Sequence, residues 1–253
     1  MGRTAKIIVQ SVGIAVMAGL LIAAVVSGYK THPAERECHS LRYIIEDREE
    51  RAYLTEVELT QLLHTNDLYP VGRVVAPTTL HRIENTIAHH PMVRTAQCYI
   101  TPRGEMRIRI TQRVPLLRVQ TPVEVYFIDT DRRVMPSKES VKDRVPVVSG
   151  NVGLTMASHS LADFALWLQE DDYWRARIHH LHVQNPQMVY IYLHLSNDSE
   201  VVTFHRVVLG SMRGYEQKLH KLRVFLENGK EATKDKQYNE IDLRFKGQVI
   251  GRN

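Results

Sequence analysis

Apolar and polar positions divide the chain into one long uncharged run followed by short alternating and helical patterns. The run, IIVQSVGIAVMAGLLIAAVVSGY, occupies residues 7–29. At 1.5 Å per residue it reaches about 34 Å, enough for a hydrocarbon core of about 30 Å. A cleaved secretory signal is the alternative, with Val26 and Gly28 standing where small residues precede a cleavage site. The apolar part of such a signal usually has about 7–15 residues, fewer than this run has. The pattern therefore predicts a retained transmembrane helix over 7–29 and a short tail over 1–6. Arg3 and Lys6 favour a cytoplasmic N-terminus. Lys30 and Arg36 oppose that preference, but a long following domain crosses largely regardless of its own charge. Gly13 and Gly19 do not have GxxxG spacing, so the helix carries no such dimerisation signal.

Beyond the run, Leu41, Tyr43 and Ile45 alternate with Arg42, Ile44 and Glu46, a short strand. LTEVELTQLLHTN at 54–66 starts a helix. Thr55 and Glu58 have capping-box spacing, Leu54 and Leu59 can form the hydrophobic staple, and Leu59, Leu62 and Leu63 make a stripe. PVGRVVAPTT at 70–79 is a connection rich in breakers. Leu80, Ile83 and Ile87 predict a second helix that ends before Pro91. Two strands follow, 93–101 and Met106 to about 114, around a turn holding Pro102 and Gly104. In the second strand Met106, Ile108 and Ile110 face one way and Arg107, Arg109 and Thr111 the other. The order strand, helix, helix, strand, strand predicts a small α+β layer with both helices on one sheet face.

Downstream, VYFIDTDRRVMP at 125–136 reads as strand, turn and strand, and VPVVSG at 145–150 as a strand. Ser160 is placed to cap a helix containing Leu161, Phe164, Trp167 and Leu168. MVYIYLHL at 188–195 puts Val189, Ile191, Leu193 and Leu195 on one face; SNDS turns the chain and EVVTFHRVVLG returns. Tyr215, Leu219, Leu222 and Leu226 recur at helical spacing, with Asn228-Gly229 as the stop. In NEIDLRFKGQVIGRN, Ile241, Leu243 and Phe245 oppose Asp242, Arg244 and Lys246, which predicts a final strand over 241–250.

Apolar residues make up 43% and charged ones 24%, the balance of a folded chain and not a disordered one. The net charge of +5 is spread out, without the dense basic block of a nucleic-acid arm. Cys38 and Cys98 match no zinc spacing; whether they pair depends on a Cα separation below about 7 Å, which sequence does not give. Thirteen histidines raise a metal hypothesis, but His89-His90 and His180/His182 come without an HExxH or cysteine–histidine pattern. Nucleophile elbow, P-loop and dinucleotide fingerprint are all missing. Glu46-Asp47 and Glu170-Asp171-Asp172 lie in polar surroundings and read as exposed turns and helix ends, since acid–base work needs a carboxyl shifted by burial. Arg107, Arg109 and Arg113 form a stripe at strand spacing that reads as a solvated face; contact with phosphate or a protein carboxylate is the alternative.

IENTIAHHPMVRTAQCYITPRGEMRIRITQRVPLLRV resembles the second half of a POTRA domain: a helix ending at proline, a strand, a glycine turn and a strand closing on R-x-P. A membrane span, one POTRA module, and a terminal helix followed by an I-D-L-R-aromatic strand together resemble the bacterial division family FtsQ/DivIB. Members often place glycine in the turn where Asp131-Arg132 stands here. The resemblance implies an α+β fold: a transmembrane helix, a POTRA domain (βααββ) over 37–120, and a mixed β-domain with flanking helices over 121–253. It implies a non-enzymatic divisome scaffold in the inner membrane, at the division septum. The bulk of the chain would be periplasmic or otherwise extracytoplasmic, with no cofactor and no nucleic acid.

FtsB- and FtsL-like proteins would be the partners, docking by strand addition at the C-terminal strand, and other divisome members would meet the POTRA domain. Carried onto this chain, the partner-binding residues are Arg244, Phe245, Lys246, Gly247, Gln248 and Ile250, with Ile241 and Leu243 left to the core. A POTRA protein of polypeptide transport or outer-membrane assembly is the alternative. Such proteins usually carry a membrane barrel or several POTRA copies, and this chain has no series of ten-residue lipid-facing strands. A membrane-tethered hydrolase would need a nucleophile–base pattern the sequence lacks.

Overall fold

The computed structural model describes Met17 and residues 36–196, 202–228 and 239–252. Apart from Met17, which is helical, the membrane helix expected over 7–29 and the tail over 1–6 lie outside the described residues, as do most of the SNDS turn and Gly229. Among the described residues no helix is long and apolar enough to cross a membrane. Two compact units are present: one holds the chain up to Ile44, Glu56–Ala88 and Ala96–Arg109, the other Ile45–Thr55, His89–Thr95 and everything from Ile110.

From Arg36 the chain forms β1 (Arg36–Glu37) and β2 (Ser40–Ile45), followed by α1 (Glu56–Thr65), β3 (Val74–Val75), α2 (Pro77–Ala88), β4 (Val93–Ile100) and β5 (Glu105–Gln112). Strands β2, β5 and β4 form a three-stranded sheet in that order, and β1 pairs with β3. Helix α1 starts directly after Thr55, and the staple residues Leu54 and Leu59 are both buried. Helix α2 starts at Pro77, inside the stretch read from sequence as connection. Proline suits a first helical position, where its missing N–H would have had no intrahelical partner. On β5, Met106, Ile108 and Ile110 are fully buried, as their alternation requires. Gly104, in the turn before β5, has φ +75; a Cβ there would stand 2.7 Å from the Glu37 carbonyl oxygen, so only glycine fits.

The second unit carries a nine-stranded sheet. Its strands are β6 (Pro115–Gln120), β7 (Val125–Asp129), β8 (Val134–Pro136), β9 (Val147–Gly150), β10 (Ile178–Asn185), β11 (Met188–Ser196), β12 (Val202–Gly210), β13 (Glu240–Asp242) and β14 (Ile250–Arg252). They lie in the order β14-β13-β12-β11-β10-β9-β6-β7-β8. Strand β9 runs parallel to both β6 and β10 and so joins two antiparallel sets; β13 runs parallel to β12 and antiparallel to β14.

A helical turn (Leu154–Met156), a π turn (Ala157–Leu161), α3 (Ala162–Glu170), α4 (Asp172–Arg175) and α5 (Tyr215–Asn228) complete the unit. Phe164, Leu168, Trp174, Leu219 and Leu222 from the helices pack with Leu117, Leu181, Ile191, Val207 and Ile241 from the strands into one core. Ser160, expected as an N-cap, lies inside the π turn instead. The helix starts further upstream, after Gly153, whose extended backbone sets its N-terminus without a side-chain cap.

Two polar devices brace this unit. Gln112, 1% exposed, accepts at Oε1 from the Tyr53 and Leu54 amides (3.0 Å each) and donates through Nε2 to Asp47 Oδ1 (3.1 Å) and the Arg51 carbonyl (2.5 Å). Every hydrogen-bonding site on its amide is thereby engaged, which a buried polar group requires. Arg113 does not continue a solvated arginine stripe. It is buried and donates to Asp129 Oδ2 at 2.7 Å, because the chain leaves β5 at Gln112 and turns into β6.

Candidate partner-binding edge

Downstream of α5 the described chain resumes at Asn239 and forms β13, the loop 243–249 and β14. The sequence reading of one strand over 241–250 is corrected here to two short strands. The chain reverses between them: Gly247 has φ +73, the Gln248 amide donates to the Phe245 carbonyl at 3.4 Å, and Lys221 Nζ of α5 donates to that same carbonyl at 3.1 Å. A left-handed backbone at Gly247 costs glycine nothing and would strain most other residues.

Charges line the β12–β14 end of the sheet in alternation. Glu240 meets Arg206 of β12 on one side and Arg252 of β14 (3.6 Å) on the other. Asp242, fully buried, meets Arg252 at 3.1 Å and Arg244 at 2.6 Å. It also accepts the Arg244 amide at 3.1 Å. The hydrogen bond from the Arg244 side chain holds the Asp242 carboxyl below its ordinary range, outweighing burial, which pushes the other way. Gly210, at the end of β12, makes room for this pairing: it has φ +75, and a Cβ there would come within 2.8 Å of Arg244 Cγ.

Beside the loop, α5 and residues 243–247 enclose an open groove of about 610 Å³. Leu243 and Phe245 contribute apolar surface to it, and Lys218, Lys221, Arg244 and Lys246 are among the basic residues that line it. Phe245 is 44% exposed, and the Arg244 guanidinium lies 5.9 Å from its ring centroid, within cation–π range. Lys218 Nζ donates to the carbonyls of Leu209 (3.1 Å) and Ser211 (2.7 Å), and burial lowers its pKa.

The structure thus gathers Arg244, Phe245, Lys246 and Gly247 at one groove, with Gln248 in the exposed turn and Ile250 half-buried on β14 opposite Asp242. Ile241 and Leu243 belong to the core. Sequence reasoning missed the pairing of Glu240, Asp242 and Arg252. Glu240 and Asp242 do stand two apart on one strand face; the signal that Arg252 returns to them was the turn at Gly247, read instead as strand.

Other candidates resolve structurally. Among the described residues no group of histidine, cysteine and carboxylate side chains is arranged to hold a metal. His180 Nε2 and His182 Nδ1 both lie against Ser149 Oγ, at 2.8 and 3.0 Å, across the β9–β10 pair. Cys38 and Cys98 are free thiols; burial, with help from Glu84, pushes Cys98 up to about 12. Asp171 caps α4 by accepting the Trp174 amide at 3.1 Å, Asp172 pairs with Arg175, and Asp47 accepts from Gln112.

The fold defines a class: a POTRA-like module joined to a helix-backed β-domain. A POTRA-like domain model matches residues 36–111. The family described as FtsQ/DivIB, C-terminal related, matches residues 114–252, more than half of the chain, and the protein belongs to this family of bacterial cell-division proteins. Among solved structures it is similar to the major extracytoplasmic domain of the trans isomer of the bacterial cell division protein DivIB from Geobacillus stearothermophilus. The identity is 14% and the TM-score 0.28, over 49% of this chain and 98% of that one. A search of curated proteins finds no match.

Proposed function

We propose that the protein is a non-enzymatic scaffold of the division machinery, held in the inner membrane by a helix over 7–29 with its tail over 1–6 in the cytoplasm. Its POTRA module over 37–120 and its β-domain over 121–253 would stand outside the membrane at the septum. FtsB- and FtsL-like partners are recruited by strand addition at the C-terminal edge of the β-domain, and other divisome members meet the POTRA module.

One observation supports this reading above the rest. The nine-stranded sheet ends at a three-residue strand with no further strand beyond it among the described residues, next to a basic groove bearing the exposed Phe245. An open edge offers backbone donors and acceptors to an incoming extended segment, and neighbouring pockets select its side chains. Arg244, Phe245, Lys246, Gly247, Gln248 and Ile250 are the proposed contacts.

Phe245→Ala combined with Lys246→Glu tests the reading in solubilised membranes. Capture of the FtsB-like chain should fall at least about tenfold, the loss expected for an interface anchor, while the circular dichroism spectrum stays as in the parent. Undiminished capture would contradict it.

A further inference from the structure

The two antiparallel sets of the large sheet meet only through β9, which pairs with β6 on one side and β10 on the other. This strand has four residues, and among them only Val148 is buried. Backbone bonds flank it: the Arg118 amide donates to the Pro146 carbonyl at 2.9 Å and the Asn151 amide to the Val183 carbonyl at 2.7 Å. So short a strand is marginal by itself, and its side-chain bonds decide how firmly the joint is held.

Ser149 supplies those bonds. It stands in register with His182 of β10, and His180 lies two residues back on the same face. The Ser149 hydroxyl meets His180 Nε2 at 2.8 Å and His182 Nδ1 at 3.0 Å. It has one hydrogen to donate, so one ring accepts it and the N–H of the other ring donates to the oxygen. Two neutral imidazoles therefore complete an ordered chain from N–H to O–H to N. Two imidazolium rings both donate. The hydroxyl then has only the Leu181 carbonyl, at 3.4 Å, to donate to, and two positive charges stand side by side. A Cβ on Gly150 would come within 2.9 Å of His182 Cε1, so that ring is held close over β9.

The strand registers lay out what surrounds the pair. The row through His180 runs from Arg118 of β6 and Val147 of β9 to Tyr192 of β11, Arg206 of β12 and Glu240 of β13. The row through His182 runs from Gln120 and Ser149 to Tyr190, Val208 and Asp242. Glu124 stands in the turn beyond Gln120, and His179 and His194, with ring centroids 6.2 Å apart, lie at the start of β10. Along both rows the carboxylates are three strands from the histidines, and each already meets an arginine. The Tyr192 ring, stacked on His180 at 5.1 Å and 15°, attracts one positive charge; nothing along the rows offsets a second. Burial, and His182 beside it, lower the His180 pKa from 6.5. A released ring thus takes up a proton that the held ring resists. The hold is complete above about pH 6.5 and drains as pH falls.

We infer that Ser149, His180 and His182 form a proton-operated latch: neutral rings tie β9 to β10, and acid frees β9 and loosens the joint between the two halves of the sheet. The latch needs neither partner nor membrane, so it stands or falls separately from the scaffold role.

Hydrogen exchange on the full-length chain in detergent micelles, read by mass spectrometry at about pH 7.5 and about pH 5 and corrected for the intrinsic effect of pH, tests this. Protection of Val147–Gly150 should fall at least about fivefold at the lower pH, while that of Val207–Leu209 in β12 holds. The double variant His180→Gln/His182→Gln keeps polar groups beside Ser149 that do not titrate, and its β9 should lose no protection. In an NMR titration of histidine-labelled parent, the His180 ring should change charge below pH 6.5. The parent profile decides by itself if the variant fails to fold: equal protection of β9 at both pH values overturns the latch. A loss shared equally by β12 also overturns it, since that marks general acid unfolding. So does an equal loss in the double variant, or a His180 titration at or above 6.5.

Discussion

At the scale of single residues, two carboxylates carry very different obligations. Asp129 is 1% exposed and pairs with the buried Arg113 guanidinium, while also accepting the Arg133 amide at 2.6 Å. Asp129→Ala strands Arg113 in the interior, and a broken buried pair costs about 3–5 kcal/mol; urea unfolding should show a loss of that size. Asp242 is tuned rather than merely paired. Its folded carboxyl titrates below the ordinary value near 4, so between the two values the unfolded chain holds more protons. The stability it contributes is complete above about pH 4 and drains as pH falls through the folded value. The parent should therefore lose thermal stability more steeply below pH 4 than Asp242→Asn does; parallel profiles would refute the assignment. Neither obligation was legible in sequence. Arg113 looked like one more member of a strand-spaced arginine stripe, and its burial follows from where β5 ends and β6 begins. Arg132 shows the same limit: it holds φ +64 in the turn between β7 and β8, with its guanidinium on Asp163 Oδ1 at 2.5 Å.

At the scale of elements, local patterns were read well where one face is wet and the other dry. The alternation on β5, the start of α1 and the Pro102–Gly104 turn depend on neighbours within a few residues, and each stands in the structure. Elements decided by tertiary contact were harder. Strand β6 has Pro115, Leu116, Leu117 and Val119 all buried, so it lacks a clean alternation and was not read as a strand of its own, although it pairs with β7 and β9. The division of the last segment into β13 and β14 hinges on a left-handed Gly247, and glycine by itself does not announce which conformation it will take. The core role of the link between them is testable: Leu243 is 1% exposed, and a buried Leu→Ala change costs about 2–5 kcal/mol. A denaturant midpoint shift well below that range would mean that residue 243 does not hold β13 to the core.

At the scale of the whole molecule, the resemblance to the FtsQ/DivIB family was legible in the succession of motifs along the chain, and the family match over 114–252 bears out that resemblance. What periodicity could not show is the placement of β9 between β6 and β10, or of β13 beside β12, since parallel neighbours far apart in sequence leave no local trace. These placements make the C-terminal segment an edge of the sheet. The account stands on that edge as the place where a division partner is held. Site-specific photo-crosslinking in dividing cells tests it most directly, with the reactive residue placed at Lys246 or Gln248 and, for comparison, at Val134 on the opposite edge strand β8. The account predicts an FtsB-like adduct from Lys246 and Gln248 and none from Val134. An adduct from Val134 alone would contradict it.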